Sequence, residues 1–315
     1  MTPLVAPLSI ASWTARHRDA LDLVVFHSYA GWLALASGAA RGLRTVVAFH
    51  GLEPIYHREL LAESGGGVSR RYRFLQEQLM PRFLRAACRN AGLVTCLNGL
   101  EREFLVSQRY VDPSRVAVVS HGVKDGFYVD GRRPRPAAVL LNVAQWLPMK
   151  GVATLARAFT TLARRHPELR LICAGTLAGA DTVLRDFPED VRPRVVVHPR
   201  LEQGALMDVY RQADIFIFPS SYDGFGLALV EAMASRLPIV TTPVGVAQDA
   251  LTDGGSALFV ARRDPDAIVR AVDRLVADAG FRTRLGDAAH AVSTGYREAD
   301  CVREWADRLT SVRAR

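Results

Sequence analysis

The residues with the clearest chemical potential lie in Phe218-Pro219-Ser220-Ser221-Tyr222-Asp223-Gly224-Phe225-Gly226-Leu227-Ala228-Leu229-Val230-Glu231. An apolar run ends there in a turn with two glycines and opens directly into a helical pattern. Free backbone N–H groups and the positive end of a helix dipole therefore meet at one point, an arrangement suited to a phosphate. Glu231 stands about one turn into the helix among Leu, Ala, Val and Met, where a carboxylate can accept two hydrogen bonds from a ribose diol. The same residues also read as plain structure, with Asp223 capping the turn and Glu231 solvated.

A second segment, Leu141-Asn142-Val143-Ala144-Gln145-Trp146-Leu147-Pro148-Met149-Lys150-Gly151, repeats the order of strand, loop and helix. Arginine supplies 38 of the 40 basic residues, and only Lys124 and Lys150 are lysine. A Lys-Gly at a helix start in such a chain argues for a compact ammonium against a phosphate, the alternative being an exposed surface lysine. A third segment, Val46-Val47-Ala48-Phe49-His50-Gly51, delivers His50 to the carboxyl end of a strand, a place for a donor or acceptor beside a substrate. His121-Gly122 follows another strand in the same way, and both histidines also fit a structural role.

Other chemistries lack their residues. There is no His-Glu-x-x-His, no serine nucleophile elbow and no clustered set of metal ligands. Neither lysine follows a glycine, which removes a Walker A loop, and Leu229 stands where a dinucleotide fingerprint needs its third glycine.

Positioning these segments calls for parallel strands separated by helices. Apolar runs at Leu23–Phe26, Thr45–Phe49, Leu93–Leu97 and Val116–Val119 predict one series, and Val139–Val143, Leu169–Ala174, Val195–His198, Ile215–Pro219 and Ile239–Thr242 a second, with helices such as Val152–Arg165 and Leu227–Ser235. The charged, proline-broken stretch Gly131-Arg132-Arg133-Pro134-Arg135-Pro136 reads as the linker between them. Two consecutive doubly wound α/β units result, and such units bind ligands at the carboxyl ends of their strands.

At 315 residues the chain is long enough for two cores, and 49% apolar with 23% charged residues is ordinary globular composition. The net charge of +8 comes from arginines spread along the chain without an aromatic-interleaved basic tract, which argues against a nucleic-acid partner. Cys88, Cys96, Cys173 and Cys301 show no Cys-x-x-Cys spacing, as expected of a reducing, cytoplasmic compartment. The start of the chain lacks a signal-peptide pattern, and the uncharged stretch Leu23–Ala40 is better explained as strand, polar turn and helix than as a membrane span.

In order and spacing these segments resemble a GT-B retaining glycosyltransferase of the group 1 type, glycosyltransferase family four. The resemblance rests on Phe49-His50-Gly51, on Lys150-Gly151, and on Gly224-Phe225-Gly226-Leu227 with the acids Asp223 and Glu231 eight apart. Glu231-Ala232-Met233-Ala234, Pro238-Ile239-Val240-Thr241-Thr242, Asp253-Gly254-Gly255 and Leu258-Phe259-Val260 extend it. It is tightest from Leu140 to Leu285 and looser from Asp22 to Phe127. It implies two Rossmann-like domains facing a cleft: an acceptor-side domain over residues 1–134, a nucleotide-sugar domain over 135–295, and a last helix over 296–315 that returns to the first domain.

The resemblance implies metal-independent hexosyl transfer without a cofactor, from a nucleotide-diphosphate sugar to a lipid-, polysaccharide- or other glycan-linked acceptor. His50, Lys150 and Asp223 would be catalytic, with His50 near the donor sugar, Lys150 on the diphosphate and Asp223 on sugar hydroxyls. Glu231 would hold the ribose, Gly226 and Leu227 would give backbone N–H groups to the diphosphate, and Gln145, Gly224 and Phe225 would complete the donor site. Three departures accompany it. Asp223 is one methylene shorter than the family's glutamate, and Gln145 replaces an arginine. The chain also starts close to Leu23, so the family's opening strand and glycine-rich loop are expected to be missing and the first domain shortened. These departures fit an alternative, a weakened nucleotide-binding partner subunit of a complete glycosyltransferase. Arg70, Arg71, Arg73, Arg82, Arg85 and Arg89 around Phe74, Leu75, Leu79, Phe83 and Leu84 give a basic amphipathic pattern suited to an anionic, inner-membrane surface or to a solvated helix.

Overall fold

A computed structural model describes residues 5–63, 67, 69–132 and 135–313. Two compact units emerge, one running to His121 and joined by the residues from Ala299 onward, the other spanning Gly122–Glu298. The division thus falls ahead of the stretch read as a linker, and side chains on both flanks of its undescribed residues 133 and 134 explain why. Arg132 Nε donates to the Ser235 carbonyl at 2.7 Å, and its terminal nitrogens reach the carbonyls of Tyr210 (2.5 Å), Arg211 (3.3 Å) and Ala213. These are the otherwise unsatisfied carboxyl ends of the helices Gln203–Gln212 and Leu227–Ala234, where a cation is favoured. Arg135 Nε donates to Asp214 at 2.6 Å, and the buried Asp214 accepts from the Ala138 and Val139 N–H groups, both at 2.9 Å. Arg132 and Arg135 clamp the second unit.

In the first unit β1 (Leu23–His27), β2 (Arg44–Ala48), β3 (Leu93–Cys96) and β4 (Val116–Val118) form a parallel sheet in that order. A helix, Val5–His17, precedes β1, and the uncharged stretch after Leu23 folds as strand, turn and a short helix, Trp32–Ala36. The basic segment is helical from Arg70 to Asn90, but a π-helical turn over Leu75–Leu79 interrupts it. That turn shifts the periodicity, so Met80, Leu84, Ala87 and Cys88 are the buried set and Phe74 is left 59% exposed.

The second unit holds six parallel strands: β5 (Val139–Val143), β6 (Arg170–Ala174), β7 (Val195–His198), β8 (Ile215–Phe218), β9 (Ile239–Thr241) and β10 (Leu258–Phe259). Their order, β10-β9-β8-β5-β6-β7, runs one way from β5 to β7 and then restarts on the other side of β5 at β8. All four residues of β8 are buried, the continuous apolar run expected of a strand covered on both faces. The helix Val152–Arg165 packs an i, i+3, i+4, i+7 stripe of Val152, Leu155, Ala156, Phe159, Leu162 and Ala163 into that core. Among the described residues no helix is long and apolar enough to cross a membrane, and all four cysteines are buried.

Burial pushes the Arg132 guanidinium down to about 10, so its carbonyl partners must compensate its desolvation. Arg132→Ala is expected to lower unfolding free energy by roughly 2–4 kcal/mol, read as a lower urea midpoint. An unchanged midpoint would show that Arg132 does not clamp the fold.

Candidate functional site

The reversal of strand order lies between β5 and β8, and an open α/β sheet leaves a crevice at the carboxyl ends of strands at such a point. The two segments singled out by chemistry leave those ends. Asn142 in β5 donates through Nδ2 to the Ile217 carbonyl of β8 at 2.9 Å, joining the strands just below the crevice.

The loops above are locked backbone to backbone. Gly151 has φ +70°, and a Cβ there would stand 2.1 Å from the Pro219 carbonyl oxygen. Gly245, after β9, has φ +53°, and a Cβ would lie 2.4 Å from the Phe225 carbonyl oxygen. Any side chain at either position combines a left-handed backbone with a backbone collision. Hydrogen bonds reinforce both contacts: Ser221 N donates to Met149 O at 2.9 Å, and Val246 N to Phe225 O at 2.7 Å.

Lys150 and Asp223 meet in this frame, Nζ to Oδ2 at 2.6 Å, each partly buried. Asp223 Oδ1 also accepts from Phe225 N at 3.3 Å, so the carboxylate both shapes the turn and faces the ammonium. The helices Val152–Arg165 and Leu227–Ala234 start beside this pair, each preceded by a left-handed glycine, Gly151 and Gly226, with no side-chain cap. Their first N–H groups have no intrahelical acceptor and carry the positive ends of both dipoles. Gly224 is buried, Leu227 is exposed, and Phe225 is turned inward against Tyr296 at 6.0 Å between centroids. Gln145 is exposed in the β5 loop.

Glu231 is only 9% exposed. Its Oε2 accepts from the Tyr210 hydroxyl at 2.7 Å, which among the described residues is its side chain's only hydrogen-bond partner. Burial drives its carboxyl up to about 7, opposed by the Tyr210 bond. Tyr210 went unnoticed in the sequence, since it lies 21 residues away on the preceding helix.

His50 belongs to the first unit, just beyond β2 and exposed. Its Nε2 lies 2.8 Å from Nδ1 of His27, the last residue of β1, and the His121 ring lies parallel at 5.9 Å. Burial and the neighbouring His27 lower the His50 pKa. His27 could have been found by the logic that selected His50, a histidine at the end of a strand. Among the described residues no three His, Cys, Asp or Glu side chains come together as metal ligands.

Two parallel Rossmann-like sheets define the GT-B class of glycosyltransferase folds. Sucrose-phosphate synthase from Thermosynechococcus elongatus superposes with a TM-score of 0.77 at 18% identity, covering 97% of this chain and 78% of that one. HepE from Anabaena, solved in complex with UDP and glucose, gives 0.74 at 16% identity, covering 96% and 81%. Residues 129–292 match the glycosyl transferases group 1 family and residues 3–126 match glycosyltransferase family 4, so the chain belongs to the group 1 glycosyl transferases. A D-inositol 3-phosphate glycosyltransferase of Xylanimonas cellulosilytica is 35% identical over 168 residues, 52% of this chain and 40% of that relative. This chain thus matches less than half of that relative's length.

The raised Glu231 pKa has a definite sign. Between its ordinary 4.5 and about 7 the folded chain holds a proton that the unfolded chain has released, so stability falls as pH rises through that window. Glu231→Gln is therefore expected to stabilise the ligand-free chain at pH 8 by on the order of 3 kcal/mol, and much less at pH 5. Urea unfolding of both chains at the two pH values checks this; equal midpoints at pH 8 would contradict it.

Proposed function

We propose that this chain is a retaining glycosyltransferase that moves a hexose-type sugar from a nucleoside-diphosphate donor to a lipid-, polysaccharide- or other glycan-linked acceptor. The observation that carries the reading is the Lys150 ammonium between two uncapped helix N-termini at the switch point of the sheet. Departure of a diphosphate with retention requires charge stabilisation on the leaving group, and a lysine with two sets of backbone N–H groups supplies it without a metal. Charge-assisted hydrogen bonds of this kind contribute about 1.5–3 kcal/mol each.

In this reading the diphosphate takes Lys150 from Asp223 and accepts from the backbone N–H groups of Gly226 and Leu227. The freed Asp223 carboxylate then accepts from sugar hydroxyls. Glu231, tied to Tyr210 through one oxygen, takes the ribose diol with the other. Gln145, Gly224 and Phe225 complete the donor loops, and His50 serves the donor sugar. The first unit selects the acceptor. UDP is the first nucleotide to test, because HepE was solved with UDP and glucose.

We place the protein in the cytoplasm, peripheral to the inner membrane. Support comes from Phe74, exposed beside Arg70, Arg71 and Arg73, an apolar anchor among cations that suits an anionic lipid surface.

Thermal melts with UDP, GDP, ADP and dTDP test the donor site. One nucleotide at a hundred times its Kd is expected to add about 2.7 kcal/mol, several degrees of Tm. Lys150→Ala and Glu231→Ala are each expected to abolish that response. No shift with any nucleotide, or shifts that survive both substitutions, would refute the assignment.

A further inference from the structure

His50 is not held by its own strand alone. His27 pairs with Ala48 at the end of the β1–β2 register, and Ser28 N donates to the Ala48 carbonyl at 2.8 Å. The chain then turns sharply through Ser28, a non-glycine residue at φ +56°. The Ser28 hydroxyl donates to Glu53 Oε1, beyond β2, so a strained turn is secured from both sides. This fixes where His27 ends, with Nδ1 at 2.8 Å from His50 Nε2 and the rings stacked at 5.0 Å and 19°.

Two neutral imidazoles share a hydrogen bond only if one nitrogen carries the proton and the other a lone pair. Two arrangements satisfy this. If His27 Nδ1–H donates, His50 must carry its own proton on Nδ1, and both rings adopt the less common tautomer. If His50 Nε2–H donates, both rings keep the proton on Nε2, the ordinary tautomer of neutral histidine. The second arrangement is the lower in energy, and it leaves His50 Nδ1 bare. Among the described residues nothing bonds to that nitrogen.

We infer that His27 is a positioning residue for His50: by accepting from His50 Nε2–H it fixes one tautomer and leaves Nδ1 as the acceptor available to a sugar hydroxyl. This rests on the proposed role of His50 at the donor sugar, and it gives His27 no contact with substrate. The His121 ring lies parallel to His50 at 5.9 Å and 4°.

The test combines ring-nitrogen spectra of the ligand-free protein, labelled with 15N-histidine at about pH 8, with turnover of UDP-glucose read as UDP release. Wild type is expected to show Nε2 protonated and Nδ1 bare on both His27 and His50. His27→Ala is expected to give a tautomer mixture at His50 and about a tenfold lower kcat with little change in KM. His27→Asn, whose side-chain oxygen stands near the former Nδ1, is expected to restore the single tautomer and most of kcat. A proton on His50 Nδ1 in wild type, or a His50 tautomer unmoved in His27→Ala, overturns the inference. Expected tautomers in a wild type that releases no UDP count against UDP-glucose turnover and not against the pairing.

Discussion

Two glycines without room for a Cβ hold the second unit's working surface together. β8 lies between β5 and β9 in the sheet, so the loop that leaves it is flanked on both sides. Gly151 lets the β5 loop touch it at Pro219, and Gly245 lets the β9 loop touch it at Phe225. Contacts this close admit little adjustment, because backbone cannot rotate away as a side chain does. The three loops therefore move as one, and the Lys150 ammonium, the Asp223 carboxylate and both helix N-termini keep their mutual geometry. Preorganisation of this kind is what makes fixed dipoles effective against charge that develops during a reaction.

The electrostatics of this surface work against the ligand-free fold. Two helix N-termini converge with an ammonium, and Asp223 is the nearby carboxylate that offsets them. Glu231 adds a buried carboxyl pushed up to about 7, with Tyr210 meeting one oxygen. On the proposed reading each of these tensions is relieved by one part of a nucleoside diphosphate: phosphate oxygens at the N-termini, ribose hydroxyls at Glu231. Stabilising cores elsewhere, and clamps such as Arg132 on two helix ends, allow the fold to carry that cost.

Much of the fold was legible because burial on both faces writes strands of a parallel sheet as bare apolar runs. β5, β7 and the helix Val152–Arg165 stand where those patterns put them. Lys150 is visible because lysine is rare in this chain, and Gly226 because a turn with two glycines opens directly into a helical pattern. Pairing was not visible. Lys150 meets Asp223 and Glu231 meets Tyr210 only because β8 returns beside β5 while β6 and β7 lie on the other side, and no local pattern specifies that order. Arg132 and Arg135 looked like linker residues, since a charge run resembles solvated chain unless buried carbonyls wait for it. The basic amphipathic pattern over Arg70–Asn90 carries no sign of the π-helical turn at Leu75–Leu79, which redirects the apolar face of that segment. His27 stands at the end of β1 as His50 stands beyond β2, and only the pairing of the two strands brings the rings together.

The most direct measurement is a crystal structure of the protein with UDP. The diphosphate is expected at the first turns of Val152–Arg165 and Leu227–Ala234, with Lys150 moved from Asp223 onto a phosphate oxygen and the ribose diol on Glu231. UDP bound elsewhere, or bound with the Lys150–Asp223 pair intact, would contradict it.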